Sequence, residues 1–223
     1  LQAPVAMLHK EIPALFLVTI TTGLLLLDLS LGVLDAILLI SIATFLAYRL
    51  VKYQLNEKKD RQKTFTKLAE QDLKKVSLLK ATAYLIVGLV ILILSAEALV
   101  QASSDIAEQL GVSTDIIGLT IVALGTSLPE LAASITSVLK NQDELAIGNI
   151  IGSNILNLLT VLPFPGLLAP GSFAPNLLYR DFFVVTLLTI LLCFFCYQSI
   201  SKKVPMGKGC GIIFLLIYCG WFT

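Results

Sequence analysis

Seven stretches of this chain stay apolar for about the length that crosses a hydrocarbon core, roughly 18 residues or more of helix, and that constrains the fold before any motif is read. They run from about Pro13 to Leu29, Leu34 to Tyr53, Ala81 to Val100, Ile116 to Leu139, Leu145 to Leu162, Phe182 to Tyr197 and Gly209 to Phe222, the last being short. The first two are joined by a turn holding Asp28, Ser30 and Gly32 and read as a hairpin. Only 14% of residues are charged against 57% apolar, where a soluble domain carries about a quarter charged. The expected fold class is all-α, a polytopic transmembrane helical bundle, and the first partner is the lipid bilayer. The net charge of +1 gives no basis for nucleic-acid binding.

Charge placement orients the spans. The one long polar stretch, Gln54 to Lys80, carries Lys58, Lys59, Arg61, Lys63, Lys67, Lys74 and Lys75, so it is expected on the cytoplasmic side. Alternate crossing then puts Gln101 to Asp115, with Asp105 and Glu108, outside, and Lys140 to Glu144 inside. Ala169 to Arg180 falls outside and Ser199 to Lys208 inside; backwards, the Asp28 turn is outside and His9 and Lys10 inside. The expected location is the plasma (inner) membrane. No charged region and cleavage site precede the first apolar run, so no signal peptide is expected. Cys193, Cys196, Cys210 and Cys219 lie in the last two spans and read as small hydrophobes rather than a redox or zinc pair.

The chemistry concentrates in the fourth and fifth spans. Glu130 sits near the middle of its span, where a carboxylate costs about 2.5 to 3.5 kcal/mol on insertion scales. Pro129 lacks an amide hydrogen and its ring clashes with the carbonyl of Gly125, so the helix is expected to bend or open there. Irregular backbone at that depth is tolerated only where it faces protein or a cavity. Steps of three and four put Ala123, Thr126, Ser127 and Glu130 on one face. In the next helix Ser153 and Asn157 are four apart, flanked by Asn149 and Asn154, and Gly148 with Gly152 permits close backbone approach. Carboxylate, hydroxyl, amide and backbone oxygens are ligands for hard cations such as calcium or sodium, and no thiolate or imidazole accompanies them.

A plainer reading makes these Ser, Thr and Asn side chains hydrogen bonds between packed helices; the concentration of all of them beside an intramembrane carboxylate and a proline-broken helix favours a cation site. Glu97, near the outer end of the third span, is read as wet and interfacial in preference to a transport ligand. Asp105, Glu108 and Asp115 read as a solvated face that weakly concentrates cations.

Gly-Thr-Ser-Leu-Pro-Glu at 125 to 130 and Gly-Asn-Ile-Ile-Gly-Ser-Asn at 148 to 154 together resemble one α-repeat of the calcium/cation antiporter superfamily, to which sodium/calcium exchangers belong. The resemblance implies ten helices in two inverted repeats, about seven of them present here. Residues 1–53 would be the last two helices of the first repeat, 54–80 a basic cytoplasmic loop, and 81–223 the second five-helix repeat. It implies that Glu130 is a shared calcium and sodium ligand, that Thr126 and Ser127 ligate nearby, that Ala123 offers a backbone carbonyl, and that Ser153 and Asn157 complete this half, with Asn149 and Asn154 beside them. The implied activity is sodium/calcium exchange by alternating access, not enzymatic catalysis, with no cofactor and with Ca2+ and Na+ bound as substrates.

The sequence departs from that pattern in lacking a second Gly-Thr-Ser-x-Pro-Glu or Gly-Ser-Asn within residues 1–117; Glu11, with no such pattern around it, does not replace the missing carboxylate. The expectation is a chain without the first three helices, its site completed by an N-terminal repeat or a second chain. Pro163 stands where the family commonly has glycine. Other readings are an inactive or partner-dependent half, a cation channel, and a proton-coupled cation antiporter. A hydrolase using Ser127 or Ser153 with Glu130 is disfavoured because no His or Lys sits near to act as base.

Overall fold

The computed structural model describes Leu1, residues 11–68 and residues 78–222; His9, Lys10, Lys74 and Lys75, which entered the side assignment, lie outside the described residues. Helix α1 is Glu11–Leu25, tightened into a 3-10 turn at Leu26–Asp28. Strand β1 (Ser30–Leu31) leads into α2 (Val33–Leu68), and α3 is Leu78–Gln109. A short α4 (Thr114–Ile117) passes through a π-helical turn, Gly118–Val122, into α5 (Ala123–Thr126) and then α6 (Leu128–Leu139). Helix α7 (Asp143–Leu156) likewise passes through a π turn, Asn157–Val161, into α8 (Pro163–Leu168). After β2 (Gly171–Ser172), a third π turn (Leu177–Phe182) opens α9 (Phe183–Lys202), and α10 is Lys208–Phe222.

These elements track the seven apolar runs. By length and composition, four helical stretches among the described residues can cross a membrane: Glu11–Asp28, Leu79–Gln109, Asp143–Leu168 and Leu177–Lys202; Thr120–Thr126 with Leu128–Leu139 makes a fifth if counted as one bent span. Two boundaries differ most from expectation: α3 runs on to Gln109, well past the expected end at Val100, and α2 also overruns its apolar segment. Helix α2 continues past the apolar run to Leu68, because residues 54–68 contain no Gly or Pro and many Lys, Glu and Gln, which are good helix formers.

The described chain forms two compact units, Leu1–Val51 with Ser134–Thr223 as the first and Lys52–Ala133 as the second. The cut falls inside α6. The Gly-Thr-Ser-Leu-Pro-Glu segment therefore belongs to the second unit and the Gly-Asn helix to the first.

In the first unit α1 buries Leu15, Val18, Thr19 and Thr22, spaced by steps of three and four that return to one helix face. Leu15 packs with Ile147 and Ile151 of α7 and Cys196 of α9; Val18 packs with Leu39 of α2 and Leu159. All four cysteines are free, and Cys196 behaves as the small core hydrophobe expected. At one end of this unit the two loops are tied by antiparallel pairing of Ser30 with Ser172 and Leu31 with Gly171, extended by the Phe173 N–H donating to Leu29 O at 3.0 Å. Elsewhere Met206 N–H donates to Leu1 O at 2.7 Å. Pro163 starts α8 at its first turn, a position where its missing amide hydrogen costs no helical bond.

In the second unit α3 exposes apolar side chains all along its length, Tyr84 at 74% and Leu85 at 71% among them, which water would not tolerate over so long a helix and lipid does. Its end is a Schellman turn: Val112 N–H donates to Ala107 O and Gly111 N–H to Glu108 O, with Gly111 at φ +80°. The same pattern closes α6 in the first unit, where Gln142 bonds Ser137, Asn141 bonds Val138, and Asn141 takes φ +56°. That tight stop sends the chain directly into α7.

Candidate cation site

Pro129 cannot donate to Gly125, and the helix breaks where the sequence places the defect. Helix α5 ends at Thr126, Ser127 adopts φ −91° and ψ 0°, and α6 starts at Leu128, with the two segments bent by 48°. The Ser127 N–H donates to Leu124 O at 3.1 Å, an i to i−3 bond that bypasses Ala123. The Ala123 carbonyl instead accepts from Thr126 Oγ1 at 3.1 Å and Ser127 Oγ at 3.2 Å. A hydroxyl that donates keeps its own lone pairs, so three oxygens gather at the break, of which the Thr126 and Ser127 hydroxyls stay open to a cation while the Ala123 carbonyl already accepts twice. Glu130 follows in the first turn of α6 and is exposed in this chain. The π turn at Gly118–Val122 lies immediately before this cluster; π turns recur at functional positions in helices.

The first unit repeats the arrangement on α7. Ile150 O accepts from Ser153 Oγ at 3.1 Å and Asn154 Nδ2 at 2.9 Å, so here too the residues three and four ahead converge on one carbonyl. Asn157 opens the second π turn, its carbonyl accepting the Leu162 N–H at 2.9 Å. Asn149 Nδ2 donates to Ser134 Oγ of α6 at 2.9 Å, which makes Asn149 a tie between helices. Asn154 lines a cavity of about 380 Å³ with Ile150, Val185, Thr189 and Phe214, a cavity that Ser153 and Asn157 do not line.

The structure thus brings Ala123, Thr126 and Ser127 to one point, with Glu130 a turn beyond, and brings Ser153 and Asn154 to another. Ser134 was missed in the sequence, although it lies four residues from Glu130 and seven from Ser127, the spacing of one helix face. No three His, Cys, Asp or Glu side chains gather among the described residues, so a cation at the break would rely on carbonyl and hydroxyl oxygens beside Glu130.

The profile of the family described as sodium/calcium exchanger protein matches residues 80–223. The chain belongs to this family. Over 219 residues it is 33% identical to the inner membrane protein YrbG of Escherichia coli K12, covering 97% of this chain and 66% of that protein. It is 39% identical over 114 residues to the sodium/calcium exchanger MaX1 of Methanosarcina acetivorans, covering 51% of this chain and 33% of that protein. Among solved structures, that of the sodium-calcium exchanger NCX_Mj soaked with 100 mM Na+ and 10 mM Sr2+ matches with a TM-score of 0.75 and 26% identity, over 98% of this chain and 66% of that one. The chain therefore spans a third to two thirds of the length of these relatives. With its apolar helices, it is an integral, multi-pass membrane protein of the all-α exchanger fold.

Proposed function

We propose that this chain contributes one half of the cation site of an antiporter, most concretely one that moves Ca2+ against Na+ by alternating access, both ions being bound as substrates. The observation that carries the reading is the break at Ser127, where the Ala123 carbonyl and the Thr126 and Ser127 hydroxyls converge one turn before Glu130. Broken helices whose freed backbone oxygens coordinate small cations are how secondary transporters build midplane sites. Ser153 and Asn157 of α7 are the second row of ligands in this reading, with Asn149 and Asn154 supporting them. The names of the matching relatives, a sodium/calcium exchanger and an inner membrane protein, favour the same substrates and the same membrane.

This half supplies a single formal negative charge, Glu130. A second half of like composition, from another repeat or a second copy of the chain, would bring the site to two charges, which neutralises one calcium or two sodium ions. For sidedness, loop 54–80 is assigned to the cytoplasm. The pairing of Ser30 with Ser172 and the bond between Met206 and Leu1 support the alternation, because each joins two segments that the charge pattern assigns to one side.

The test is calcium uptake into vesicles holding the complete transporter, driven in turn by an outward sodium gradient and by an outward proton gradient. Sodium-dependent uptake is expected. Uptake that follows only the proton gradient would replace sodium as counter-ion, and uptake indifferent to both would point to a channel.

A further inference from the structure

The second unit holds a carboxylate that the site above does not use. Glu97 lies within the apolar length of α3, and among the described residues it makes no hydrogen bond or ion pair. Its helix presents Ile93, Ala96, Glu97, Val100 and Gln101 to a cavity of about 450 Å³ whose opposite wall is Gly125, Thr126 and Pro129. Those five positions follow steps of three, one, three and one, which is a single helical stripe. Among the described residues of the lining, the polar side chains are the Glu97 carboxylate, the Gln101 amide and the Thr126 hydroxyl, and Thr126 is also one of the three oxygens at the break. A water takes about 30 Å³, so the space admits a cation that keeps part of its hydration shell.

We propose that Glu97, Gln101 and Thr126 form a second cation site, a staging position for a partly hydrated hard cation such as Ca2+ on its way to the Ala123–Glu130 break. All donors are oxygens, as a hard cation requires, and a bound ion supplies the opposite charge that an intramembrane carboxylate otherwise lacks. Thr126 faces both places, so a cation can be passed along without losing every ligand at once. Glu97 is thereby a ligand rather than an interfacial group. The inference rests on the transport reading for its direction: Gln101 is one turn nearer the end of α3 assigned to the outside.

The experiment measures half-saturating Ca2+ from each face of oriented vesicles carrying the complete transporter. Glu97→Gln is expected to raise it on the order of tenfold from outside at low ionic strength, with a smaller change from inside, and Glu97→Asp to recover most of the loss. No change, an equal change from both faces, or an Asp variant as impaired as the Gln variant overturns the proposal. Mn2+ binding followed by electron paramagnetic resonance separates this inference from the transport reading. Weak binding that persists in Glu130→Gln and disappears in Glu130→Gln with Glu97→Gln supports the staging site even if sodium-driven exchange is absent. Binding that is the same in both variants, or absent from the first, contradicts it.

Discussion

Val100 of α3 sits directly over Gly125: a methyl group added at Gly125 would lie 1.9 Å from Val100 Cγ2 and 3.3 Å from its Cβ. Valine in a helix holds essentially one χ1 rotamer, so the side chain has no easy retreat. Gly125→Ala is therefore expected to destabilise the second unit by about 1–3 kcal/mol, the usual cost of overpacking, and to weaken transport by shifting the break. Val100→Ala removes the colliding methyl and leaves a tight but tolerable contact. A double-mutant cycle read by thermal unfolding in detergent checks the pair, with most of the loss expected to return in the double variant; strictly additive losses would mean that the contact does not form.

The Asn149 to Ser134 bond at 2.9 Å ties α7 to α6. Such bonds inside membranes are worth about 0.6 kcal/mol on average, so Ser134→Ala is expected to lower stability by that order. Asn149→Ala, which removes the donor and leaves Ser134 Oγ without it, should cost at least as much. If Asn149 is foremost a cation ligand, Ser134→Ala will leave stability unaltered while calcium affinity drops; paired measurement of melting and calcium binding distinguishes the two.

Thr19 and Thr22 make a matched pair on α1. Both are buried, but Thr19 Oγ1 donates to Leu15 O at 2.8 Å, whereas Thr22 Oγ1 has no hydrogen-bond partner among the described residues. Replacing a buried unpaired hydroxyl by a methyl of the same shape is neutral or favourable. Thr22→Val is thus expected to keep or raise the melting temperature, and Thr19→Val to lower it slightly. A marked loss in Thr22→Val would show that the hydroxyl has a bound water or other partner.

Much of this was legible in the sequence because lipid enforces simple rules. Apolar runs located the apolar cores of the helices, though not the ends of α2 and α3, and Pro129 identified the break, since a proline inside a helix must disrupt the bond to the residue four before it. The end of α2 was not legible from hydropathy: residues 54–68 are polar, yet polarity alone does not stop a helix that lacks Gly and Pro. The tie between Asn149 and Ser134 and the wall that Val100 makes with Gly125 depend on which helices become neighbours, and single-chain periodicity carries no such information. That Asn154, besides converging with Ser153 on the Ile150 carbonyl, lines a cavity against α9 and α10 likewise depends on which helices become neighbours.

The central claim rests on Glu130 as the carboxylate of a cation site built at the Ser127 break. Sodium-gradient-driven calcium flux should be compared in vesicles of the wild-type transporter, Glu130→Gln and Glu130→Asp, at matched protein incorporation. The account expects flux at background in Glu130→Gln, which keeps the shape and removes the charge, and partial flux in Glu130→Asp; wild-type flux in Glu130→Gln would contradict it.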